Sequence, residues 1–388
     1  MSETSQAEIR NSPLYAAHLQ LGATMKERNG WLVPESYGDR LFEYAAVRES
    51  GAGMIDLSSR GRIHVSGSEA IQFLNGLITN DLKTLPGDRW MPAAFPNVQG
   101  RLIAHIRVIC CEKTAAGRVE SPTFLLDTEA ATHERALKTI ERFTLAGDFR
   151  VRDLNSETAM ITIQGKQAAQ VIESVLGHAV QTMPNDGAIS IPWQNAAIMV
   201  IRATHSGENG FDLIVKSEQA SELWQVLNQS GAQPVGFDAF EVLRLEAGQP
   251  RFGIDMDETT VVTEAGLDDA VSFTKGCYVG QEIIARIKYR GHVAKRLTGV
   301  LFDCARKIER GVKIRSVEGR EIGTITSVTY SPHLGRTIAL GYVKYDYLAP
   351  GTEVRLNEGQ EEVVAQIAAP PFVQGSWPGA ERKEANVD

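Results

Sequence analysis

Past Leu297 the sequence becomes a series of short apolar runs: Thr298 to Phe302, Val312 to Ser316, Glu321 to Tyr330, Ile338 to Val343 and Thr352 to Leu356. Gly311, Gly319, Gly335, Gly341 and Gly351 punctuate them as turn or bulge positions. Short strands at regular spacing, divided by glycines, specify a small antiparallel barrel or sandwich. The rest of the chain mixes helical and strand periods. Its 388 residues are too many for one ordinary domain and about right for two or three.

From the start, Ser12 to Leu21 reads as a short helix with Leu19 and Leu21 as apolar positions, and Gly30 to Gly38 as a turn-rich link. Asp39 is placed to cap a helix whose apolar residues Leu41, Phe42, Ala45 and Val47 fall at helical spacing. Gly61 to Val65 alternates as a strand, and Ser66 or Ser68 is placed to cap the helix that follows. Asn97 to Gly100 is a turn, and Leu102 to Cys110 the strand after it. Thr123 to Asp127 reads as a strand and Glu129 to Phe143 as a helix. Met160 to Gly165 followed by Lys166 to Leu176 is strand, glycine, helix, but it lacks both the G-x-G-x-x-G and the P-loop patterns. Asp238 to Glu246 is a helix stopped by Gly248 and Pro250.

The densest chemistry lies between Lys275 and Arg296, KGCYVGQEIIARIKYRGHVAKR. Gln281 to Lys288 can wind as a helix with Ile283, Ile284 and Ile287 on one side. Cys277 then precedes a helix N-terminus, with Lys275 two residues away, and both favour a thiolate. A lone cysteine is more often a small buried hydrophobe than a nucleophile.

Lys-Gly-Cys-Tyr-x-Gly-Gln-Glu, from Lys275 to Glu282, followed by Arg286, resembles the motif of YgfZ-type proteins, folate-binding relatives of the glycine-cleavage aminomethyltransferase (T-protein). Leu243 to Gly248 also resembles a T-protein hexapeptide, and the likeness extends diffusely from Pro13 to about Phe372. The resemblance implies an α+β aminomethyltransferase-like fold, mixed α/β domains around a central folate channel plus a C-terminal antiparallel β-barrel. The expected divisions are 1–50, an N-terminal extension packing on the folate-binding region; 51–290, that region, as two α+β subdomains; 291–372, the barrel; and 373–388, a mobile tail.

The resemblance also implies site residues. Cys277 and Lys275 are the expected catalytic pair, facing or close to the channel. Glu208, Asp212, Arg244, Glu246, Asn97, Tyr278, Gln281, Glu282 and Arg286 are the expected contacts to tetrahydrofolate or a one-carbon derivative of it. Asp212 stands where T-proteins present a glutamate to the pterin, a ring whose amide N–H and amino group offer two adjacent donors. Three departures matter. Asp212 is one methylene shorter than that glutamate. T-proteins carry an Asp-Asp pair where this chain has Ala104 and His105, and an arginine where it has Phe240. His105 is either a packed strand residue, the preferred reading, or an acid–base group. The missing arginine must be replaced from Arg251 or the Arg286 region.

Three functions follow: a folate-binding protein of the YgfZ type that supports iron–sulfur cluster assembly or repair; a folate-dependent aminomethyl- or methyltransferase; or a non-catalytic scaffold that docks an iron–sulfur protein through the basic strip. The net charge of −8 argues against nucleic-acid or membrane-surface binding by the chain as a whole. Cys110, Cys111, Cys277 and Cys304 form no C-x-x-C pair, so neither a disulfide framework nor a zinc site is expected. The start, MSETSQAEIR, lacks a signal-peptide pattern and no apolar run is long enough to span a bilayer, so a cytoplasmic location is expected.

Overall fold

The computed structural model describes residues 9–49, 51–111, 122–142, 144, 147–359 and 361–378. A small three-stranded sheet, Arg10–Asn11, Trp31–Ser36, Thr24–Arg28, stands where a turn-rich link was expected over Gly30 to Gly38, and two larger sheets carry the rest of the first three-quarters of the chain. The first is six-stranded, in the order Ala188–Trp193, Ala196–Arg202, Gly210–Lys216, Thr158–Gln164, Gly53–Asp56, Gln233–Pro234. The second is five-stranded, in the order Trp90–Pro96, Leu102–Cys110, Thr123–Thr128, Gly61–Ser66, Arg150–Asp153. Each sheet is covered by helices that bury its apolar face. Ala168–Leu176 and Ala220–Gln229 pack on the first around Phe211, Leu213 and Trp224. Ala70–Leu77 and His133–Glu141 pack on the second around Ile63, Phe95 and Ile106. Each such side chain, fully buried, stabilises the fold by about 1.5–3 kcal/mol.

The glycine-punctuated C-terminal part closes into a six-stranded antiparallel barrel, Lys295–Phe302, Arg336–Lys344, Glu321–Ser331, Lys313–Arg315, Glu353–Glu358, Glu361–Ala368. Closure removes the exposed edges that an open sheet would present. The last strand was not among the five expected. Its period-two pattern was present: Val363, Ala365 and Ile367 point into the barrel core, and exposed residues alternate with them.

Near the N-terminus the apolar residues are a poor guide to the buried face. On the helix Arg40–Arg48, Leu41 and Phe42 are 54% and 65% exposed, while Glu43, Tyr44, Val47 and Arg48 are buried. Glu43 accepts the N–H groups of Tyr37 and Gly236, both at 2.7 Å. Arg48 reaches Glu208 and Glu246, each at 2.7 Å. Leu19 and Leu21 are likewise exposed, and the helix Tyr15–Gln20 buries His18 instead. The His18 ring lies 2.9 Å from Asp56 and 2.7 Å from the Tyr37 hydroxyl. Asp39 caps its helix as expected, accepting from Leu41 N at 2.8 Å. Neither Ser66 nor Ser68 caps the helix Ala70–Leu77; the Ser68 hydroxyl donates to Asp148. Phe143, the expected end of the helix after Glu129, lies outside the described residues; that helix runs His133–Glu141 after a short 3-10 turn.

The expected tail from 373 onward is docked as far as it is described. Ser376 donates its backbone N–H and its hydroxyl to Glu208, and the Arg202 guanidinium lies 5.7 Å from the centre of the Trp377 ring. Residues 379–388 lie outside the described residues. No described helix is long and apolar enough to cross a membrane.

Arg48 therefore joins the first helical layer to the turn at Glu208 and to the helix Phe237–Glu246, whose Glu246 also accepts from Tyr44 and from Ser331 of the barrel. Removing the cation leaves two carboxylates buried without it. Arg48→Met should cost about 3–5 kcal/mol of stability in urea denaturation. Adding Glu208→Gln and Glu246→Gln to that variant should restore part of the loss.

Candidate functional site

A cavity of about 530 Å³ opens where the two sheets, the helix Phe237–Glu246 and the loop after it meet. Its polar wall grows from the five-stranded sheet. In the strand Leu102–Cys110, residues two apart share a face, so His105 and Arg107 both line the cavity. Opposite Arg107 in register is Asp127 of Thr123–Thr128. Asp127 is fully buried, accepting from Arg107 Nε at 2.7 Å and from Arg60 Nε and Nη2, both at 2.8 Å. Burial alone would raise this carboxyl; Arg107 and Arg60 outweigh it and hold it below the usual carboxylate range. The same Arg107 is ion-paired to Asp212 at 2.6 Å, across to the six-stranded sheet. His205 Nε2 lies 2.9 Å from the other Asp212 oxygen. The cations thus face the cavity and the carboxylates stand behind them.

His105 lies within this array, and its Nε2 has no hydrogen-bond partner among the described residues. Burial first, and Arg60 and Arg107 in addition, push its pKa down to about 4. Aromatic rings also line the cavity. Phe237 and Phe240 meet edge to face at 5.8 Å, with Trp90, Val33 and Leu57 nearby. Arg28 and Arg251 lie over these rings, 5.6 Å from Phe237 and 5.9 Å from Phe240 respectively.

The expected site residues divide into groups, and most do not meet the cavity. Asp212, expected to face a ligand, has no exposed surface and both its oxygens are engaged. Glu208 and Glu246 belong to the Arg48 network and do not line the cavity. Arg244 does line it, but its guanidinium is committed to Glu241 at 2.7 Å, Asp255 at 2.9 Å and the Ser327 hydroxyl at 3.0 Å, so it pins its helix to the barrel. Of the two expected sources for the missing cation, Arg251 lines the cavity and Arg286 is exposed elsewhere.

The Lys-Gly-Cys segment, expected to face or lie close to the channel, is not part of the cavity lining. Lys275 is buried, and its ammonium donates to the carbonyls of Asn75, Ile78 and Asn80 at 2.8, 3.0 and 2.6 Å. It caps the C-terminal carbonyls of the helix Ala70–Leu77, which helical geometry leaves unpaired. The Tyr278 ring is buried 5.2 Å from that ammonium. Asn97 Oδ1 accepts from the N–H groups of Gln99 and Arg101, shaping its own turn. Gly280 packs against that turn with φ 76°, and a Cβ there would stand 2.3 Å from Asn97 O. The helix Gln281–Arg290 follows, with Gln281 half-buried and Glu282 and Arg286 exposed. Cys277 is left exposed on a loop fixed at both ends.

Arg60, Arg107, Asp127, Glu129 and His205 were not expected site residues. A signal existed for two of them: Arg107 and Asp127 interrupt strands that are otherwise apolar, and a charge in such a place must be paired.

Two family models cover most of the chain. The GCVT N-terminal domain matches residues 14–275, and the glycine cleavage T-protein C-terminal barrel domain matches residues 295–374. The aminomethyltransferase of Thermotoga neapolitana is 30% identical over 376 residues, covering 95% of this chain and 99% of that protein. The aminomethyltransferase of Rubrobacter xylanophilus is 31% identical over 373 residues, covering 96% of each. The crystal structure of glycine cleavage system aminomethyltransferase T from Bartonella henselae shares the fold with a TM-score of 0.86 at 24% identity, over 95% of this chain and 99% of that one.

The neutral state of His105 is directly measurable. Its ring resonances should keep their neutral positions until the pH approaches about 4, well below the ordinary 6.5. Because the unfolded chain takes up this proton first, the contribution to stability is complete above pH 6.5 and is lost as pH falls toward 4. His105→Gln should make that acid-side decline shallower.

Proposed function

The chain belongs to the glycine-cleavage T-protein family, and from that premise we propose that it is a folate-dependent one-carbon transferase of the aminomethyltransferase type. The observation that carries this reading is the cavity of about 530 Å³, lined by aromatic rings with guanidinium groups stacked on them. Its size is ordinary for a small-molecule site. Tetrahydrofolate has a flat ring at one end and carboxylates at the other, and a lining of both aromatic and cationic groups suits such a ligand. Phe237, Phe240 and Trp90 would hold the apolar body; Arg28 and Arg251, ion-paired to Glu35 and Glu241, are stacked on Phe237 and Phe240.

Bound tetrahydrofolate supplies the nitrogen that accepts the one-carbon unit. The chain's own contribution is to exclude water, orient the ring and manage a proton. His105 is the group for the last task. Its unpartnered Nε2 lines the cavity and stays unprotonated at neutral pH, so it can accept a proton from a ligand amine. This replaces a carboxylate with a neutral base, and it leaves no negative charge beside a developing iminium. Transfer from an aminomethylated carrier should therefore be slower than in relatives that keep the carboxylate.

The test has two parts. Titration with 5-formyltetrahydrofolate should show binding at or below high micromolar concentration; no binding there would remove the folate reading. Incubation with tetrahydrofolate and an aminomethylated lipoyl carrier protein should release methylenetetrahydrofolate, and His105→Asp should accelerate the reaction.

A second reading rests on the exposed Cys277. Lys275 and Gly280 fix the loop on either side of it, so the thiol is presented at the surface rather than to the cavity. That placement suits a YgfZ-type role, in which the protein meets an iron–sulfur partner while holding folate. Under this reading Cys277→Ala abolishes support of a [4Fe–4S] reporter enzyme in cells and leaves folate binding intact. Under the transferase reading the same variant keeps full transfer activity.

A further inference from the structure

A pterin ring presents an amide N–H and an amino group side by side, and a carboxylate is the side chain that accepts from both at once. The acid that sequence likeness aligns with this task, Asp212, is closed off: His205 and Arg107 take its two oxygens and none of its surface is exposed. The cavity nevertheless has a carboxylate of its own. Glu129 follows directly on the strand Thr123–Thr128 and lines the cavity. It lies two residues beyond Asp127, which anchors Arg60 and Arg107.

Two features separate Glu129 from the other acids near the cavity. Among the described residues its hydrogen-bonding is confined to one donor, the N–H of Phe252, shared between both oxygens at 3.2 and 3.1 Å. A carboxylate offers about four acceptor positions, so most of its capacity is unfilled. No lysine or arginine among the described residues reaches ion-pair distance of it, whereas Asp127 and Asp212 are both spent on arginines. Asp269, the other acid in the lining, is exposed. Burial raises the Glu129 carboxyl, and Arg60 and Arg251 oppose that rise. A ligand that brings two donors relieves the burial by filling the vacant acceptor positions.

We propose that Glu129 reads the paired N–H donors of the pterin ring, so that the specificity-determining carboxylate has moved from the strand of Asp212 to the end of the strand of Asp127. The assignment rests on the folate reading above. It makes the aromatic lining the surface on which the ring lies and Glu129 the group at its hydrogen-bonding edge.

The measurement is a comparison of 5-formyltetrahydrofolate with its 2-desamino-2-methyl analogue, which keeps the ring and lacks the amino donor. Wild-type protein should bind the parent more tightly by roughly 10- to 100-fold, the worth of a hydrogen bond to a charged group. Glu129→Gln keeps a carbonyl for Phe252 N, and it should weaken the parent by a similar factor and abolish the preference. Glu129→Asp retains the charge and should recover part of the preference; it also serves as the test if the glutamine variant does not fold. If either folded variant binds and discriminates as wild type does, the assignment to Glu129 is overturned while the folate reading stands. If wild-type protein binds neither compound, the folate reading falls and this assignment with it. If wild type binds both equally, Glu129 does not read the amino donor and the proposal is wrong.

Discussion

Arg107 is the side chain on which the site most depends. It rises from one sheet, holds Asp127 of the neighbouring strand through Nε and lies against Asp212 of the other sheet. A guanidinium and two carboxylates out of water are tolerable only together, because each ion unpaired would cost several kcal/mol. The planar fork of arginine lets one residue satisfy both acids, which a lysine could not do with the same directionality. The cavity exists because this bridge fixes the distance between the sheets, and its polar wall is cationic because the acids lie behind the bridge.

The same device recurs at two other seams. Arg48 joins the N-terminal helix to Glu208 and Glu246, and Arg244 joins the helix Phe237–Glu246 to Asp255 and the barrel. Glu246 and Arg244 sit on one helix, two residues apart, and serve different seams. That helix is buried nearly all round, and its charged residues are the linkers between bodies. This gives Arg244 and Glu246 of the Leu-Arg-Leu-Glu-Ala-Gly stretch a structural role at two seams. Its work is to hold the walls apart and in register.

How much of this was legible beforehand depended on the kind of signal. Period-two alternation and glycine spacing located the barrel, and the hexapeptide from Leu243 to Gly248 pointed to the T-protein superfamily. The site was less legible because its parts come from separate elements. Asp212 resembled a ligand contact from its local segment alone, and only the three-dimensional placement of Arg107 and His205 shows its oxygens already taken. Lys275 was read as a partner of the thiol two residues away, yet its ammonium turns to carbonyls about 200 residues earlier in the chain. The helix Arg40–Arg48 misled in the opposite sense. Leu41 and Phe42 suggested an apolar face, but the buried side holds Glu43 and Arg48, whose partners lie far off in sequence. Local patterns report what an element is made of; they do not report which distant charge will need it.

The position of Cys277 outside the cavity lining bears on what the Lys-Gly-Cys segment does in a T-protein body. The invariable-looking letters of that motif serve different ends here: Lys275 closes a helix terminus, Gly280 permits contact with the Asn97 turn, Tyr278 fills space, and Ile284 joins the core beneath the loop. The thiol, like the Glu282 and Arg286 side chains, is exposed. The turn that Gly280 contacts leads through Arg101 into the strand bearing His105 and Arg107. The cavity wall and the exposed thiol are thus joined through that turn and strand, and Cys277 itself is not part of the cavity lining.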